Sequence, residues 1–330
     1  MVHIILYAIV PIIVVMLAGY ISGKKGMFSG QDAKQFNKVV LDFALPAALF
    51  ISIVTATRED LVKDLKLTIV STLVIMGCFM LVYFIYKYCF KKNTGADAAV
   101  CALINGSPTI GFLGFAVLEP IFVSSTVPLS SVALVVAIVG IVVNAIGIPV
   151  GLSLLNADLA KRNTTPGAKR PSAWKPVIHA LEQPVAWAPI LAVVLVICGF
   201  HWPEWASPSF DLIAKANASM AVFSAGVTLS AVKVVINWQG VLGSMLKLIL
   251  MPGAALIVGL LCHMDPINLQ MLVVACALPP AFSGIIIADE YDTYVATGTS
   301  SLTLSVILFI GFCPLWIWLT RMAIANNFLM

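Results

Sequence analysis

Apolar residues fill about ten stretches of this 330-residue chain, and short polar segments separate them. A helix needs roughly 20 apolar residues to cross a hydrocarbon core about 30 Å thick. The pattern predicts spans at residues 3–22, 33–54, 67–88, 96–121, 129–155, 184–200, 209–232, 241–262, 267–289 and 294–320. The chain is 61% hydrophobic and 10% charged, as in integral membrane proteins rather than soluble ones. The expected fold is therefore an all-α membrane protein.

The second half of the chain repeats features of the first at a nearly constant separation. Pro11 in span 1 matches Pro189 in span 6, and the Cys-Ala-Leu triplet at Cys101 in span 4 matches that at Cys276 in span 9. A unit with an odd number of spans places its copy upside down in the membrane. The sequence thus predicts two inverted five-helix repeats, which is the architecture of many secondary carriers.

One long polar segment separates the two units. The first repeat covers residues 1–155, a basic linker covers 156–183, and the second repeat covers 184–330. Short loops rich in Lys and Arg mark the cytoplasmic side, and most of the 19 basic residues fall on the inner face if both termini lie outside. The net charge of +4 then reflects orientation against anionic lipid. This charge predicts that the basic residues face the lipid bilayer and do not bind a nucleic acid.

Helix-breaking residues lie in the middle of spans 4 and 9. Irregular backbone at membrane depth is packed in protein or lines a watery cavity. Because the units are inverted, the second halves of both spans begin at the midplane, where two helix amino ends meet. Each end offers unpaired N–H groups and about half a positive charge, which together favour an anion. The predicted substrate-binding residues are those of the two interruptions, namely Asn105, Ser107, Pro108, Thr109, Pro279, Pro280, Ser283 and Gly284. The alternative is a pair of merely kinked structural helices.

Five further polar residues fall inside predicted spans. Asp42 is either a coupling group or a hydrogen-bonding partner of a neighbouring helix, because an ionised side chain at this depth needs a partner, water or a proton. Asn144 and Asn217 either line the cavity or tie helices together. Lys215 and Lys247 lie near predicted helix ends, so both are expected to extend toward the interface.

The predicted spans lack the residue patterns of intramembrane metalloproteases and serine proteases. The four histidines lie at span ends, and no H-E-x-x-H motif occurs, so intramembrane metalloproteolysis lacks its ligands. Ser283 has no histidine after it to act as a base. We expect no catalytic residue, no metal and no cofactor. An anion channel, or a facilitator without cation coupling, is the other function that two interrupted helices would suit.

Several stretches resemble the auxin efflux carrier family, and within it the bacterial permeases of the malonate or oxalate type. The resemblance covers nearly the whole chain. Its most recognisable stretches are residues 36–38, 44–50, 106–114, 212–217 and 278–284. It implies ten helices in two inverted units, a scaffold domain and a transport domain, and helices 4 and 9 crossing at the substrate site. It also implies elevator-like movement.

The chain departs from the plant members of that family at both crossings. Those members carry Asn-Pro there, whereas here Asn105 stands three residues before Pro108, and Pro279-Pro280 has no Asn beside it. Auxin is therefore not the expected substrate. The resemblance implies a secondary carrier for a small mono- or dicarboxylate, such as oxalate or malonate, in a bacterial inner membrane. The sequence leaves open whether H+ or Na+ drives it, the direction of transport, and whether the carrier is a homodimer.

Overall fold

The structure is a computed structural model that describes residues 10–55, 65–124, 126–162, 184–231 and 236–326. Most of the predicted linker lies outside these residues. The described chain is helical, and its only β-type pairing is an isolated bridge. In chain order the helices are α1 Val10–Lys24, α2 Gly30–Val54, α3 Leu65–Tyr88, α4 Gly95–Asn105, α5 Ile110–Phe122, α6 Leu129–Ile141 continuing through Val142–Gly147 and Ile148–Arg162, α7 Pro184–Ile197, α8 Glu204–Ala231, α9 Trp238–Leu261, α10 Pro266–Ala277, α11 Phe282–Glu290 and α12 Val295–Ala325.

Six of these helices are long and apolar enough to cross a membrane, namely α2, α3, α6, α8, α9 and α12. The others in the described residues are shorter, and most of them are also apolar. Predicted spans 4 and 9 are each divided into two short helices, α4 with α5 and α10 with α11. The prediction of an all-α integral membrane protein is confirmed. The count of ten spans and the inverted repeat stay predictions.

Polar and apolar side chains are distributed for a lipid environment, as α12 illustrates. Ser301 and Ser305 of this helix are fully buried, whereas Ile307 is 60% and Trp318 45% exposed. Large apolar side chains on the outside and hydroxyls on the inside suit a helix that faces hydrocarbon, where polar groups turn toward the protein interior.

The helices form two packing groups. In the first, α1 packs against α8 and α2 packs against α7. In the second, α3 packs on α4, α4 on α6, α9 on α10 and α10 on α12. Ser224 of α8 donates a hydrogen bond to the Asn37 side chain of α2, which ties the first group internally. The two groups meet where α8 lies along α5 and α2 lies along α6.

The sequence fixes where α4 begins and ends. Thr94 and Asp97 form a capping box, in which the Thr94 hydroxyl accepts from the Asp97 N–H at 3.0 Å and the Asp97 carboxylate accepts from the Thr94 N–H at 2.8 Å. The helix then runs 11 residues to Asn105, roughly 16 Å at 1.5 Å per residue. This length brings its carboxyl end to about half the thickness of a hydrocarbon core.

Candidate functional site

The two interruptions touch each other through their backbones. Pro108 and Pro280 pair in an antiparallel β-bridge. On one side of it the Thr109 N–H donates to the Pro279 carbonyl at 3.0 Å, and on the other the Ala281 N–H donates to the Ser107 carbonyl at 3.0 Å. The crossing is therefore a hydrogen-bonded unit between two extended segments, with its polar backbone groups paired as burial requires.

Both prolines leave a carbonyl without its helical donor, because a proline has no N–H to offer the residue four positions earlier. The carbonyl of Ile104, four before Pro108, accepts from the Ala281 N–H at 3.3 Å. The carbonyl of Cys276, four before Pro280, accepts from the Lys247 ammonium at 2.5 Å. Each orphaned carbonyl thus receives a donor from another part of the chain.

Two helices begin beside the bridge. The α5 helix starts after Thr109, whose side chain makes no capping hydrogen bond, and α11 starts at Phe282. The Thr109 hydroxyl is buried and has no hydrogen-bonding partner among the described residues. Such an end offers backbone N–H groups and the positive end of the helix dipole to a ligand. A buried hydroxyl left unpaired next to it adds a further donor for an oxygen of that ligand.

The predicted site residues come together, but they do not share one environment. Asn105 is only 2% exposed, and its amide oxygen accepts from the Ser301 hydroxyl at 2.5 Å while its amide nitrogen lies 3.4 Å from the Cys101 sulfur. The Asn105 side chain therefore joins α4 to α12. Ser107 is buried at the bridge and Ser283 is half-buried in the first turn of α11.

Gly284 is a point of close approach between the two crossing helices. A Cβ atom at Gly284 would lie 2.8 Å from the backbone nitrogen of Ile104 and 2.8 Å from the carbonyl carbon of Leu103. Nearby, the rings of Phe112 and Phe282 meet edge to face with centroids 5.7 Å apart. Glycine allows the α11 backbone to lie directly on α4.

Three helices widen into a π-helical turn where a proline follows. The extra residue of a π turn relieves the clash between the proline ring and the preceding turn. In α9 the Leu248 carbonyl, four residues before Pro252, accepts from the Trp316 indole N–H at 2.8 Å. These turns with their prolines are Val40–Ala44 with Pro46, Val142–Gly147 with Pro149, and Leu246–Leu250 with Pro252.

Each π-helical turn contains one of the polar residues singled out from the sequence. Asp42 and Asn144 are half-buried, and Asp42 has no hydrogen-bonding or ion-pair partner in the described part of the chain. Lys247 is fully buried. The expectation that Lys247 extends toward the interface is wrong, because its ammonium turns inward to the Cys276 carbonyl.

The remaining two predicted residues lie at a break in α8. The helix is interrupted at Lys215, whose side chain is exposed. Asn217, two residues on, is 2% exposed, and neither atom of its amide has a hydrogen-bonding partner in the part of the chain that the structure describes. Buried amides are normally paired, so Asn217 has unused hydrogen-bonding capacity in the first packing group.

Sequence reasoning missed the contact between Lys247 and the second interruption. The available signal was Pro280 itself, because it predicts an orphaned carbonyl at Cys276 that a buried donor must satisfy. Prolines alone did not predict the π-helical turns of spans 2, 5 and 8, because Pro120, Pro189 and Pro314 lie inside helices where no such turn is described.

Known proteins resemble this chain along most of its length. The family described as "Membrane transport protein" matches residues 4–317. "Uncharacterized transporter YfdV" of Escherichia coli K12 is 52% identical over 315 residues, which cover 95% of this chain and 97% of the relative. "Putative malonate transporter" of Rhizobium meliloti is 24% identical over 318 residues, covering 91% of both chains.

A transporter of Methanocaldococcus jannaschii is 23% identical over 316 residues, or 93% of this chain and 96% of the relative. The names of these relatives describe transporters and not enzymes, in agreement with the expectation from the sequence. The match also confirms the resemblance carried by residues 106–114 and 278–284. The chain belongs to the membrane transport protein family, the family of the auxin efflux carriers, and is a multi-pass membrane transporter.

Proposed function

We propose that the protein is a secondary active transporter that binds a small organic anion at the crossing and moves it by alternating access. The observation that carries this proposal is the bridge between Pro108 and Pro280, which holds the amino ends of α5 and α11 in one buried place. Those ends direct backbone N–H groups and the positive ends of two helix dipoles at a carboxylate. Malonate, which the name of the Rhizobium meliloti relative mentions, and oxalate are the first substrates to test.

The packing of the helices supports two inverted repeats, each of which contributes helices to both packing groups. Exchanging the halves of the chain turns the contact of α1 with α8 into that of α7 with α2, and the contact of α3 with α4 into that of α9 with α10. The first packing group then serves as the scaffold and the second carries the crossing. We infer an elevator-like movement of the second group, in a bacterial inner membrane.

Uptake into proteoliposomes tests the proposal. Labelled malonate or oxalate should accumulate above equilibrium when a H+ or Na+ gradient is imposed, because a secondary carrier couples the two movements. Ionophores that collapse the gradient should abolish the accumulation. Uptake that equilibrates but never accumulates would instead indicate a channel or facilitator, and no uptake of any carboxylate in a panel of mono- and dicarboxylates would overturn the proposal.

Changes at the helix amino ends should weaken substrate binding. Hydrogen bonds to a charged partner contribute about 1.5–3 kcal/mol, so Thr109→Val or Ser283→Ala should raise the half-saturating malonate concentration by about ten- to a hundredfold. Thr126→Val is the control, because Thr126 is exposed in the loop after α5. If both site variants gave the saturation curve of the parent at equal amounts of folded protein, the substrate would not bind at the crossing.

The proposed orientation has its own test. With both termini outside, the linker lies inside and the start of α8 lies outside. Single cysteines at Asn163, which is outside the described residues, and at Ser207 should therefore react from opposite sides in a cysteine-free background. An impermeant maleimide added to intact cells should label the Ser207→Cys variant and spare Asn163→Cys until the cells are opened. Equal labelling of both in intact cells would contradict the orientation.

A further inference from the structure

A lysine lies deep in the second packing group, and no carboxylate of the described residues pairs with it. Lys247 is 0% exposed, and its ammonium donates to the Cys276 carbonyl at 2.5 Å and contacts the Met251 sulfur at 3.1 Å. Among the described side chains, the ionisable groups that interact with it are the thiols of Cys78 and Cys276. Buried charges are costly unless they are paired, and those inside membrane proteins are usually functional.

The contact itself has a clear structural cause. Pro280 cannot donate to the Cys276 carbonyl, and Lys247 replaces the missing N–H at the carboxyl end of α10. A neutral donor would satisfy the carbonyl at a lower desolvation cost than an ammonium. Trp316 does this for the orphaned Leu248 carbonyl with an uncharged indole N–H. The cap therefore explains a donor at this position, but it does not explain a cation.

The charges at the crossing show what the cation adds. Four half-helices end there, α4 and α10 with their carboxyl ends and α5 and α11 with their amino ends. Each end carries a dipole charge of about half a unit, so the negative ends of α4 and α10 reduce the positive potential that the amino ends of α5 and α11 present to an anion. Lys247 adds a positive charge beside the crossing, because its ammonium binds the carbonyl of Cys276, three residues before Pro279.

We propose that Lys247 is the fixed counter-charge of the transported anion. The positive charge of the Lys247 ammonium, which caps the carboxyl end of α10, attracts the anion to the crossing. The net charge of the crossing is therefore closer to zero with the anion bound than without it. This inference rests on the proposed function of the crossing, and it assigns to Lys247 a positioning and charge-selecting role in that function.

Three substitutions separate the charge of Lys247 from its hydrogen bond. Lys247→Gln keeps a donor for the Cys276 carbonyl but removes the charge, Lys247→Met removes both, and Lys247→Arg keeps both. Lys66→Gln is the control, because Lys66 is a lysine whose side chain is exposed at the start of α3. The measurement is the dissociation constant of purified protein for acetate and for malonate, obtained from ligand-induced shifts of the melting temperature.

The expected signature depends on the charge of the ligand. Coulomb energy is proportional to the ligand charge, so Lys247→Gln should weaken binding of monovalent acetate by about tenfold and of divalent malonate by about a hundredfold. Lys247→Arg and Lys66→Gln should bind both ligands like the parent. A purely structural cap would instead weaken both ligands by the same factor.

Two results overturn the inference while leaving the proposed function intact. One is a Lys247→Gln protein that binds malonate like the parent, and the other is an equal loss for acetate and malonate. Size-exclusion profiles identify a Lys247→Met protein that fails to fold, in which case Lys247→Gln and Lys247→Arg decide the question. A parent protein that binds neither ligand nor any other carboxylate would overturn the proposed function, and the inference with it.

Discussion

Replacing Gly284 with alanine is expected to destabilise the protein and abolish transport, although alanine is the better helix former. The added Cβ would lie 2.8 Å from backbone atoms of both Leu103 and Ile104, and backbone cannot move aside as a flexible side chain can. Overpacking of this kind costs about 1–3 kcal/mol or more. The substitution should also push α11 away from α4 and break the Pro108–Pro280 bridge. The measurements are the melting temperature in detergent and malonate uptake.

Gly311→Ala provides the matched control for this prediction. Gly311 lies inside α12, and a Cβ atom there would have no atom of the described chain within 4 Å apart from its chain neighbours and the nearby backbone of its own helix. Alanine is preferred over glycine in a helix by about 1 kcal/mol, so this variant should be as stable as the parent or slightly more so. A Gly284→Ala protein with the stability and uptake of Gly311→Ala would mean that the two crossing helices are not in contact as described.

The interruptions of the helices were predictable because their causes are local. Pro108, Pro279 and Pro280 each remove an N–H and clash with the preceding turn wherever they stand in the chain. The end of α4 at Asn105 and the end of α10 at Ala277 follow from these residues and their neighbours alone. Apolar length alone likewise predicts membrane helices.

The directions of the polar side chains were not predictable, because they depend on which helices pack together. Asn105 was predicted to bind the substrate, and nothing in the sequence revealed that its amide also bonds to Ser301, which is 196 residues away. Lys247 was expected to reach the interface, yet its partner Cys276 is 29 residues away in a different helix. No spacing within one helix reveals a contact of this kind, since it is decided by tertiary packing.

These directions change how the Asn105 amide is interpreted. A side chain that is 2% exposed and bonded to Ser301 holds α4 against α12. Loss of this hydrogen bond would shift the helix that ends at the bridge, and substrate affinity would fall without any direct contact between the amide and the anion. Thr109, whose buried hydroxyl has no partner within the described ranges, is the better candidate for direct contact with the anion.

Asp42→Asn is expected to abolish uphill uptake and to leave exchange of malonate across the membrane intact. The carboxyl group of Asp42 lies in the π-helical turn of α2, half-buried and without a partner in the described part of the chain. No described group on a neighbouring helix accepts a hydrogen bond from Asp42 or donates one to it. This favours a role of Asp42 in coupling over a role in holding two helices together. An amide of the same size can pass through the transport cycle, but it cannot take up and release a proton.

The two activities are measured in the same proteoliposomes. Asp42→Asn should lose the accumulation of labelled malonate that an imposed pH gradient drives in the parent, while counterflow into vesicles preloaded with unlabelled malonate continues at the parent rate. Asp211→Asn is the control, because Asp211 is an exposed carboxylate in α8, and it should retain both activities. An Asp42→Asn protein that still responds to the pH gradient would exclude proton coupling at this residue and leave Asp42 with a role in the helix alone.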